Sequence, residues 1–366
     1  MRTFLSCLLV CLVACQTEAS DPGHSQVTRG RGAAALSAAH GTLIVLNKST
    51  ASVSWIDALS GVTLATSPTG AGPHEVAVSP DSATAVVCDY GERQPGSTLT
   101  VLDTRTGERL DTISLGGHLR PHGIQFEDER HLLVTSERSQ ALLRVDLTLG
   151  RVVAELPTEA EASHMLVLSP DRNTAFVANI ESGSVSALDL NTGELLSQIP
   201  TGRGAEGLDI TPDGRELWVG NRAEDTLTIL DASTFEVEAS LPCAGFPIRI
   251  KITPDGAHAL VSCAETGDVA IFDVPGRRLL RRIPMELTAK DDLSERLFGD
   301  RFGESPVPIG ILITPDGKRA FVANTNVDLV TVLDLETWTV AGRIETGKQP
   351  DGLGYTQAAP AFPAGD

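Results

Sequence analysis

The sequence has little positive charge: 29 lysine and arginine residues stand against 48 aspartate and glutamate residues, giving a formal charge of −19. Such an acidic surface repels the phosphates of nucleic acid and offers no basic patch to anionic lipid. The chain also lacks a phosphate-binding glycine loop, a nucleophile elbow, a His-Glu-x-x-His helix and a haem-attaching Cys-x-x-Cys-His motif. These absences argue against a nucleic-acid partner and give no support to nucleotide-cofactor chemistry.

Long apolar runs are also scarce, and the one from Phe4 to Val13 is too short to span a bilayer. With Arg2 before it, this run predicts a cleaved signal peptide. Its ending, Leu-Val-Ala-Cys15, resembles the lipobox of bacterial lipoproteins. The resemblance implies a lipid on Cys15 and a place in the bacterial cell envelope, periplasmic or surface-facing. We therefore expect a lipoprotein signal peptide at 1–14, and a lipid anchor with a flexible tether at 15–38, as the only membrane contact.

A repeat of about 42 residues fills the rest of the chain. One copy begins with Thr-Ala-Phe-Val-Ala-Asn179, continues with Ser-Val-Ser-Ala-Leu-Asp189 and ends on Thr-Pro-Asp-Gly214. Each copy holds four short runs of β-branched and apolar residues, separated by turn residues, which predicts four strands, A to D. Repeated four-stranded units of this length are typical of β-propeller blades.

An aspartate opens the connection between strands C and D in every copy, and counting these aspartates predicts seven blades. We expect them to form turns and not to bind a ligand. They are Asp57, Asp103, Asp146, Asp189, Asp231, Asp273 and Asp334. The first copy lacks strand A, whereas a spare strand A begins at Asp351. The C-terminal strand should therefore pair with the N-terminal blade and close the ring.

The Val-Ala-Asn, Leu-Asp, Thr-Gly and Pro-Asp-Gly elements of the repeat resemble the YVTN-type β-propeller repeat over about residues 40–357. The resemblance implies an all-β, seven-bladed propeller. We place it at residues 39–358, with a disordered tail at 359–366. That family includes surface proteins, binding proteins and cofactor-using enzymes, so the resemblance leaves the activity open.

The residue that follows the D–A connection should lie at the mouth of the central channel, because strand A is the innermost strand of a blade. Around the closed ring this position carries a carboxylate, three histidines, a second carboxylate and two isoleucines. They are Asp351, His74, His122, His164, Glu206, Ile248 and Ile309. The chain has only 8 histidines, so three in one column of the repeat point to a site.

Three neutral imidazoles that converge on one point can bind a transition metal ion. We predict a mononuclear site with His74, His122, His164 and Glu206 as ligands. Glu206 and Asp351 are also the candidate catalytic bases, or groups that orient the imidazoles. Imidazole binds copper, iron and zinc, so the sequence does not choose among them. The alternative is a polar, water-filled mouth whose side chains only form hydrogen bonds.

Two insertions lie on the face that carries this mouth. The step from Ile248 to Ile309 is 61 residues, against 42 for four of the other steps, and the excess falls within residues 286–306. An insertion here predicts a lid or a substrate wall, in which we expect Phe298 and the two isoleucines to contact an organic substrate. A shorter insertion occupies residues 90–96.

Three of the six cysteines fall in the predicted propeller, at Cys88, Cys243 and Cys263. Cys243 lies in a D–A connection and Cys263 ends the next strand B, so both should lie on the upper face of one blade. A disulfide between them remains open, as does a role as soft metal ligands. We expect Cys88 to be a buried free thiol.

These features favour a monomeric, envelope-anchored metalloprotein that acts on a small organic or peptide substrate. A copper or iron oxidoreductase is the preferred class, and a lyase or a hydrolase is the other choice. The alternative is a non-catalytic propeller whose upper face binds a protein, a peptide or an envelope polymer. A third hypothesis is a carrier of a small ligand or an organic cofactor in the same channel.

Overall fold

The structure is a computed structural model that describes residues 41–294 and 296–362. Within these residues, 28 strands form seven four-stranded antiparallel sheets. The predicted all-β, seven-bladed propeller is therefore confirmed. The expected signal peptide, the lipidation site Cys15 and the tether all lie outside the described residues. No helix in the described ranges has the length and hydrophobicity needed to cross a bilayer.

The blades are numbered from the N-terminal side, and their strands in chain order. Blade 1 contains β1 (Thr42–Asn47), β2 (Ser52–Asp57), β3 (Thr63–Pro68) and the C-terminal β28 (Pro350–Thr356). Blade 2 contains β4 (Pro73–Val78), β5 (Thr84–Gly91), β6 (Pro95–Asp103) and β7 (Arg109–Ser114). Blade 3 contains β8 (Pro121–Phe126), β9 (His131–Ser136), β10 (Ala141–Asp146) and β11 (Arg151–Pro157). Blade 4 contains β12 (Ser163–Leu168), β13 (Thr174–Asn179), β14 (Ser184–Asp189) and β15 (Leu195–Pro200).

The remaining blades repeat the pattern. Blade 5 contains β16 (Ala205–Ile210), β17 (Glu216–Asn221), β18 (Thr226–Asp231) and β19 (Val237–Pro242). Blade 6 contains β20 (Pro247–Ile252), β21 (His258–Cys263), β22 (Asp268–Asp273) and β23 (Arg278–Pro284). Blade 7 contains β24 (Pro308–Ile313), β25 (Arg319–Asn324), β26 (Leu329–Asp334) and β27 (Thr339–Glu345). Three short 3-10 turns are present at Lys48–Thr50, Gly299–Phe302 and Thr325–Val327.

The ring closes as predicted: β28 pairs antiparallel with β1, with Leu43 opposite Tyr355. After β28, the amide of Ala361 donates a hydrogen bond to the carbonyl of Arg105, and the ring of Phe362 packs against Trp55. The chain is thus placed against the propeller as far as Phe362, inside the range that we expected to be a disordered tail.

The core lies between neighbouring blades, because strands B and C are covered on both faces. In β1 all six residues are buried, whereas the outer strand β11 alternates between exposed and half-buried positions. Phe176 of blade 4 and Leu217 of blade 5 belong to one apolar cluster that fills the gap between those blades. Burying a side chain of this size stabilises the fold by about 1.5–3 kcal/mol. Repeated around the ring, this packing fixes the positions of the inner strands.

Six of the seven aspartates that open the C–D connections accept hydrogen bonds from amides of their own turn, and the seventh, Asp273, forms an ion pair with Arg278. The Asp189 carboxylate accepts hydrogen bonds from the amides of Asn191 and Thr192, and Asp231 makes the equivalent bonds with Ser233 and Thr234. A carboxylate that caps its own turn lowers the free energy of that turn and has little capacity left for a ligand.

Candidate metal centre

Each D–A connection passes through a residue with positive φ, two positions before the residue that lines the channel mouth. These residues are Gly72, Arg120, Ala162, Gly204, Phe246, Val307 and Gln349, with φ between 54° and 76°. Five of the seven are not glycine, and such a residue pays of the order of 1 kcal/mol or more for this conformation. The repeated bend sets where strand A begins and therefore where its first side chains reach the channel.

A second set of side chains begins beside this bend. The carbonyl of each positive-φ residue accepts a hydrogen bond from the amide of the residue that follows strand B or, in blade 2 with its longer strand B, of the equivalent Tyr90. The donors are Lys48, Tyr90, Glu137, Ile180, Arg222, Ala264 and Thr325. Five of them, Lys48, Tyr90, Glu137, Ile180 and Arg222, line the same cavity as the predicted site residues. Two positions of the repeat thus supply side chains to the mouth: the residue after the D–A connection, and the residue whose amide bonds to the positive-φ carbonyl. Our sequence analysis identified only the first.

The three predicted histidines meet in this cavity. The ring centroids of His122 and His164 lie 3.5 Å apart, and those of His74 and His122 lie 5.1 Å apart. His122 and His164 are buried, at 4% and 7% exposed, and the side chain of His74 is 12% exposed. Their proximity follows from the ring geometry, because adjacent blades supply them from equivalent positions.

His164 is held between two carboxylates. Its Nδ1 lies 2.5 Å from Glu137 Oε1, and its Nε2 lies 3.2 Å from Glu206 Oε1. Burial alone would lower the pKa of His164, but the hydrogen bonds and charges of the two carboxylates raise it to about 9. Without a metal, His164 is therefore an imidazolium that donates from both nitrogens.

His74 and His122 are neutral for the opposite reason. Burial and the charge of Lys48 lower the pKa of His74 to about 3. Its Nδ1 donates to the Gly72 carbonyl at 2.9 Å, which leaves the Nε2 lone pair free. Burial and the neighbouring His164 hold the pKa of His122 well below its usual value. His122 Nδ1 is buried and has no hydrogen-bond partner among the residues that the structure describes, an arrangement that suits a metal ligand better than a structural polar group.

The two predicted carboxylates are paired with cations. Lys48 Nζ lies 2.8 Å from Asp351 Oδ2, and Arg222 bonds to Glu206. Burial alone would raise the pKa of Asp351 and Glu206, but these cations and the nearby imidazoles lower both. Both side chains are therefore ionised, and Asp351 Oδ2 is 4.0 Å from His74 Nε2.

Glu137 and Tyr90 belong to the site although the first column of the repeat does not include them. Tyr90 donates to Glu137 Oε2 at 2.7 Å, and its ring stacks on His74 at 4.1 Å between centroids. One ligand atom from each of His122, Glu137 and His164 lies within 4.8 Å of the others. Two imidazoles and a carboxylate are the donor set of several zinc and iron enzymes. Glu206 and His74 border this trio without being part of it. The sequence could have indicated Glu137, because it occupies the same position of the repeat as Tyr90.

Below the histidines, a layer of side chains closes the channel. The residue that follows the mouth-lining residue on strand A is glycine in four blades. A Cβ at any of these glycines would come within 2.7 Å of the backbone of the neighbouring strand. These glycines are Gly123, Gly207, Gly310 and Gly352. The other three blades contribute Glu75, Met165 and Arg249. Arg249 spans the channel, with Nη2 2.5 Å from Glu75 Oε1 and Nη1 2.6 Å from Met165 Sδ. Its side chain separates the mouth from a lower cavity in the channel.

The other side of the mouth is apolar. Ile248 and Ile309 pack with Phe246 and Phe302 in one buried cluster, and Phe298 from the insertion lies against it. All three predicted wall residues, Ile248, Ile309 and Phe298, line the cavity, which has a volume of about 310 Å³. The mouth is thus polar on the side of blades 1–5 and apolar on the side of blades 6 and 7.

The cysteines lie away from the histidine cluster. Cys243 and Cys263 are buried with unbonded thiols, and their sulfur atoms are 3.8 Å apart. Cys88 is buried and free, as expected. His118 is also outside the cluster, because its Nδ1 is 3.0 Å from Ser139 Oγ and its Nε2 is 3.8 Å from Glu155.

A family model described as phytase-like, for the esterase-like activity of phytase, matches residues 91–233. The match covers less than half of the chain. It includes His122, Glu137, His164 and Glu206. No significant match was found among curated proteins.

Solved propeller structures resemble the chain over most of its length. A periplasmic gluconolactonase from Pseudomonas aeruginosa is 19% identical, with a TM-score of 0.67, covering 87% of this chain and 99% of that one. Hydrazine synthase from Kuenenia stuttgartiensis is 20% identical, with a TM-score of 0.64, covering 76% and 88%. A protein of unknown function from Desulfotomaculum acetoxidans is 15% identical, with a TM-score of 0.69, covering 87% and 99%. At these identities the likeness establishes the fold alone.

Proposed function

We propose that the protein is a metal-dependent hydrolase of the bacterial envelope that cleaves an ester or a lactone at the mouth of its channel. The observation that carries the proposal is the convergence of His122, His164 and Glu137 on one point, with the buried Nδ1 of His122 lacking any partner. The free Nε2 of His74 lies beside this trio. Two imidazoles and a carboxylate are the protein ligands of catalytic zinc in several hydrolases, so zinc is the ion that this proposal assigns to the site.

A metal bound here would polarise a carbonyl group and lower the pKa of a coordinated water. The chain's own residues do the rest of the work. Glu206 and Asp351 are ionised carboxylates beside His164 and His74, where either can accept a proton from an attacking water. The pairing of each with a cation keeps it ionised and fixes its orientation.

The apolar side of the mouth would hold the acyl or ring carbons of the substrate. Ile248, Ile309 and Phe298 face the histidines across one cavity, so a molecule with a carbonyl at one end and carbons at the other fits both sides. Arg249 closes the channel below, so the substrate enters from the upper face.

The comparisons support hydrolysis over the other classes. The matched family model is described by an esterase-like activity and spans four residues of the site, and one propeller of the same fold is named a gluconolactonase. That neighbour is also named periplasmic, in keeping with a signal peptide and a lipid on Cys15. We propose the envelope as the location on these two grounds.

Iron-dependent oxidation is the second candidate. Two histidines and one carboxylate are also the ligand set of non-haem iron oxygenases. The trio His122, Glu137 and His164 fits that set equally well. The two candidates differ in the ion retained and in whether dioxygen is consumed.

The full chain, purified without a histidine tag, would test the proposal. We expect about one equivalent of zinc per chain, and hydrolysis of gluconolactone or short-chain nitrophenyl esters that is lost after chelation and restored by zinc. His122→Ala should lose the bound metal, whereas His118→Ala, outside the cluster, should retain it. Equal metal content in His122→Ala and the wild type would contradict the site. Bound iron with oxygen uptake would favour the second candidate. Absence of metal would favour a non-catalytic binding surface.

A further inference from the structure

Strand B carries a polar side chain at or near its end in most blades, and this side chain makes an equivalent contact in each, donating a hydrogen bond where it is asparagine and accepting one where it is Asp89. The side chain bonds to a hydroxyl on strand C of the same blade. The pairs are Asn47 with Ser54, Asp89 with Thr100, Asn179 with Ser186, Asn221 with Thr228 and Asn324 with Thr331, at 2.9 to 3.0 Å. In four of these blades a threonine begins the facing D–A connection: Thr346, Thr69, Thr158 and Thr201.

Blade 6 has none of these groups. Cys263 replaces the asparagine, Ala270 replaces the hydroxyl residue on strand C, and Cys243 replaces the threonine. Cys243 is 1% and Cys263 0% exposed, and their sulfur atoms are in contact at 3.8 Å. The strand B position and the first position of the facing connection are thus both occupied by cysteine, the one residue type that can form a covalent link.

Blade 3 also lacks the polar arrangement, and it provides the comparison. It has Ser136 at the end of strand B, and it fills the space with Leu143 and Leu115, both fully enclosed. Apolar filling of this space therefore needs no cysteine. Blade 6 instead fills this space with two small thiols in contact, which oxidation would join by a sulfur–sulfur bond.

We propose that Cys243 and Cys263 form a disulfide in the exported protein, which joins the D–A connection of blade 6 to the end of β21. The two thiols lose two protons and two electrons, and a sulfur–sulfur bond forms. The disulfide of an envelope thiol oxidase, or of oxidised glutathione in vitro, accepts the electrons and is reduced to two thiols. In the cell, the proposal rests on the envelope location given under the proposed function. Because both sulfurs are buried, exchange takes place during folding.

The link would stiffen the apolar side of the mouth. Three residues after Cys243, Phe246 has positive φ and packs with Ile248, while Ala264 next to Cys263 belongs to the same cluster. The bond therefore fixes the connection that presents Ile248 to the cavity and Arg249 to the channel. Closing a loop of this length also restricts the unfolded chain.

Trypsin separates the two cysteines, which allows a direct test. Cys243 lies in the fragment 223–249 and Cys263 in the fragment 252–277, whereas Cys88 lies in the fragment 49–93. The full chain, recovered from the envelope fraction and alkylated before digestion, should give the first two fragments as one cross-linked species that separates on reduction. Cys88 should be alkylated. Recovery of Cys243 and Cys263 as separate alkylated fragments would overturn the proposal.

A refolding experiment tests formation of the disulfide independently of the protein's location in the cell. Reduced, urea-unfolded protein refolded with oxidised glutathione should acquire the same cross-link wherever the chain resides in the cell; failure there as well would leave no basis for the bond. Reductant should lower the melting temperature of the oxidised wild type by about 2–4 °C. It should not change that of Cys243→Ala, or of the triple variant Cys243→Thr, Cys263→Asn and Ala270→Thr, which gives blade 6 the residues that blade 5 has at these positions.

Discussion

Blades 1–5 and blades 6–7 present opposite chemistry from the same position of the same repeat. On the first side, a chain of contacts links Lys48, Asp351, His74, Tyr90 and Glu137, and it continues through His164 and Glu206 to Arg222. On the second side, Ile248 and Ile309 make only packing contacts within an apolar cluster. The backbone is the same, with a positive-φ residue two positions earlier in every blade.

The difference teaches that the propeller fixes where side chains converge but not what they do. On the polar side each group sets the charge of the next, so that one imidazole is protonated and two are neutral. On the apolar side the residues pack in one cluster, and the Phe246 ring of this cluster contacts the Arg222 guanidinium at 5.1 Å. A change on the polar side should therefore alter several groups at once, whereas a change on the apolar side should alter only packing and fit.

Arg249 links the two sides, and its removal should have the largest effect on stability. Arg249→Met leaves the buried Glu75 carboxylate without its cation, which should lower the free energy of unfolding by about 3–5 kcal/mol. The measurement is urea denaturation followed by circular dichroism at neutral pH. The double variant Arg249→Met with Glu75→Gln should recover most of this loss. If Arg249→Met were as stable as the double variant, the charges of Arg249 and Glu75 would not be energetically coupled.

Asp89 sharpens the comparison, because this buried carboxylate accepts hydrogen bonds from Thr98 and Thr100 and forms no ion pair with the described residues. Burial raises its pKa from 3.8 to about 6, opposite in direction to Asp351 and Glu206. The folded state therefore holds this proton more tightly than the unfolded state. The contribution of this proton to the free energy of unfolding is fully present below about pH 4. It is lost as the pH rises through 6, and the loss totals at most about 3 kcal/mol.

The variant Asp89→Asn places in blade 2 the residue that blades 1, 4, 5 and 7 already have at this position. It should remove this pH dependence, so the stability gained over the wild type should grow between pH 4 and pH 7. Paired denaturation curves across that range measure the difference. A constant difference would mean that Asp89 does not titrate there.

Glu137 tests whether the polar side acts as a unit. Glu137→Gln keeps the shape but removes the charge of a proposed zinc ligand, so zinc affinity should fall by more than the about 10–100-fold that follows loss of a group outside the ligand set, with little change in fold. Calorimetric titration with zinc gives the affinity. Glu155→Gln, an exposed carboxylate near His118, is the matched control and should bind zinc as the wild type does.

Ile248 should show the smallest effect, confined to substrate fit. Ile248→Val removes one methylene from the wall and should lower kcat/KM for an ester with an apolar acyl chain by about tenfold at most. Zinc affinity should not change, because Ile248 is neither one of the proposed ligands nor an ionisable group. A clear loss of zinc in this variant would contradict the division of the mouth into two independent sides.

The fold and half of the site could be predicted from the sequence, because both repeat with the chain. The turn aspartates and the spare strand at Asp351 gave the blade count and the closure. His74, His122 and His164 could be placed at the mouth for the same reason. Glu137 was missed although it has the same period, because the column that follows strand B mixes lysine, tyrosine, isoleucine and arginine and shows no common chemistry.

Other features could not be obtained from any pattern. Arg249 reaches Glu75 across 174 positions of sequence, and the pairing depends on glycine in the neighbouring strands leaving room in that layer. The protonation of His164 depends on two carboxylates from different blades. Neither has a signature in one copy of the repeat, because each requires side chains that only the closed ring brings together.

The sequence by itself determined the repeat unit, the number of blades, the closing strand and the residue types offered to the mouth, since these are local and periodic. The tertiary structure alone decided which imidazoles are charged, which carboxylate joins His122 and His164, and what closes the channel. The physical reason is that burial and the distances between blades set electrostatic energies, and both exist only once the ring has closed.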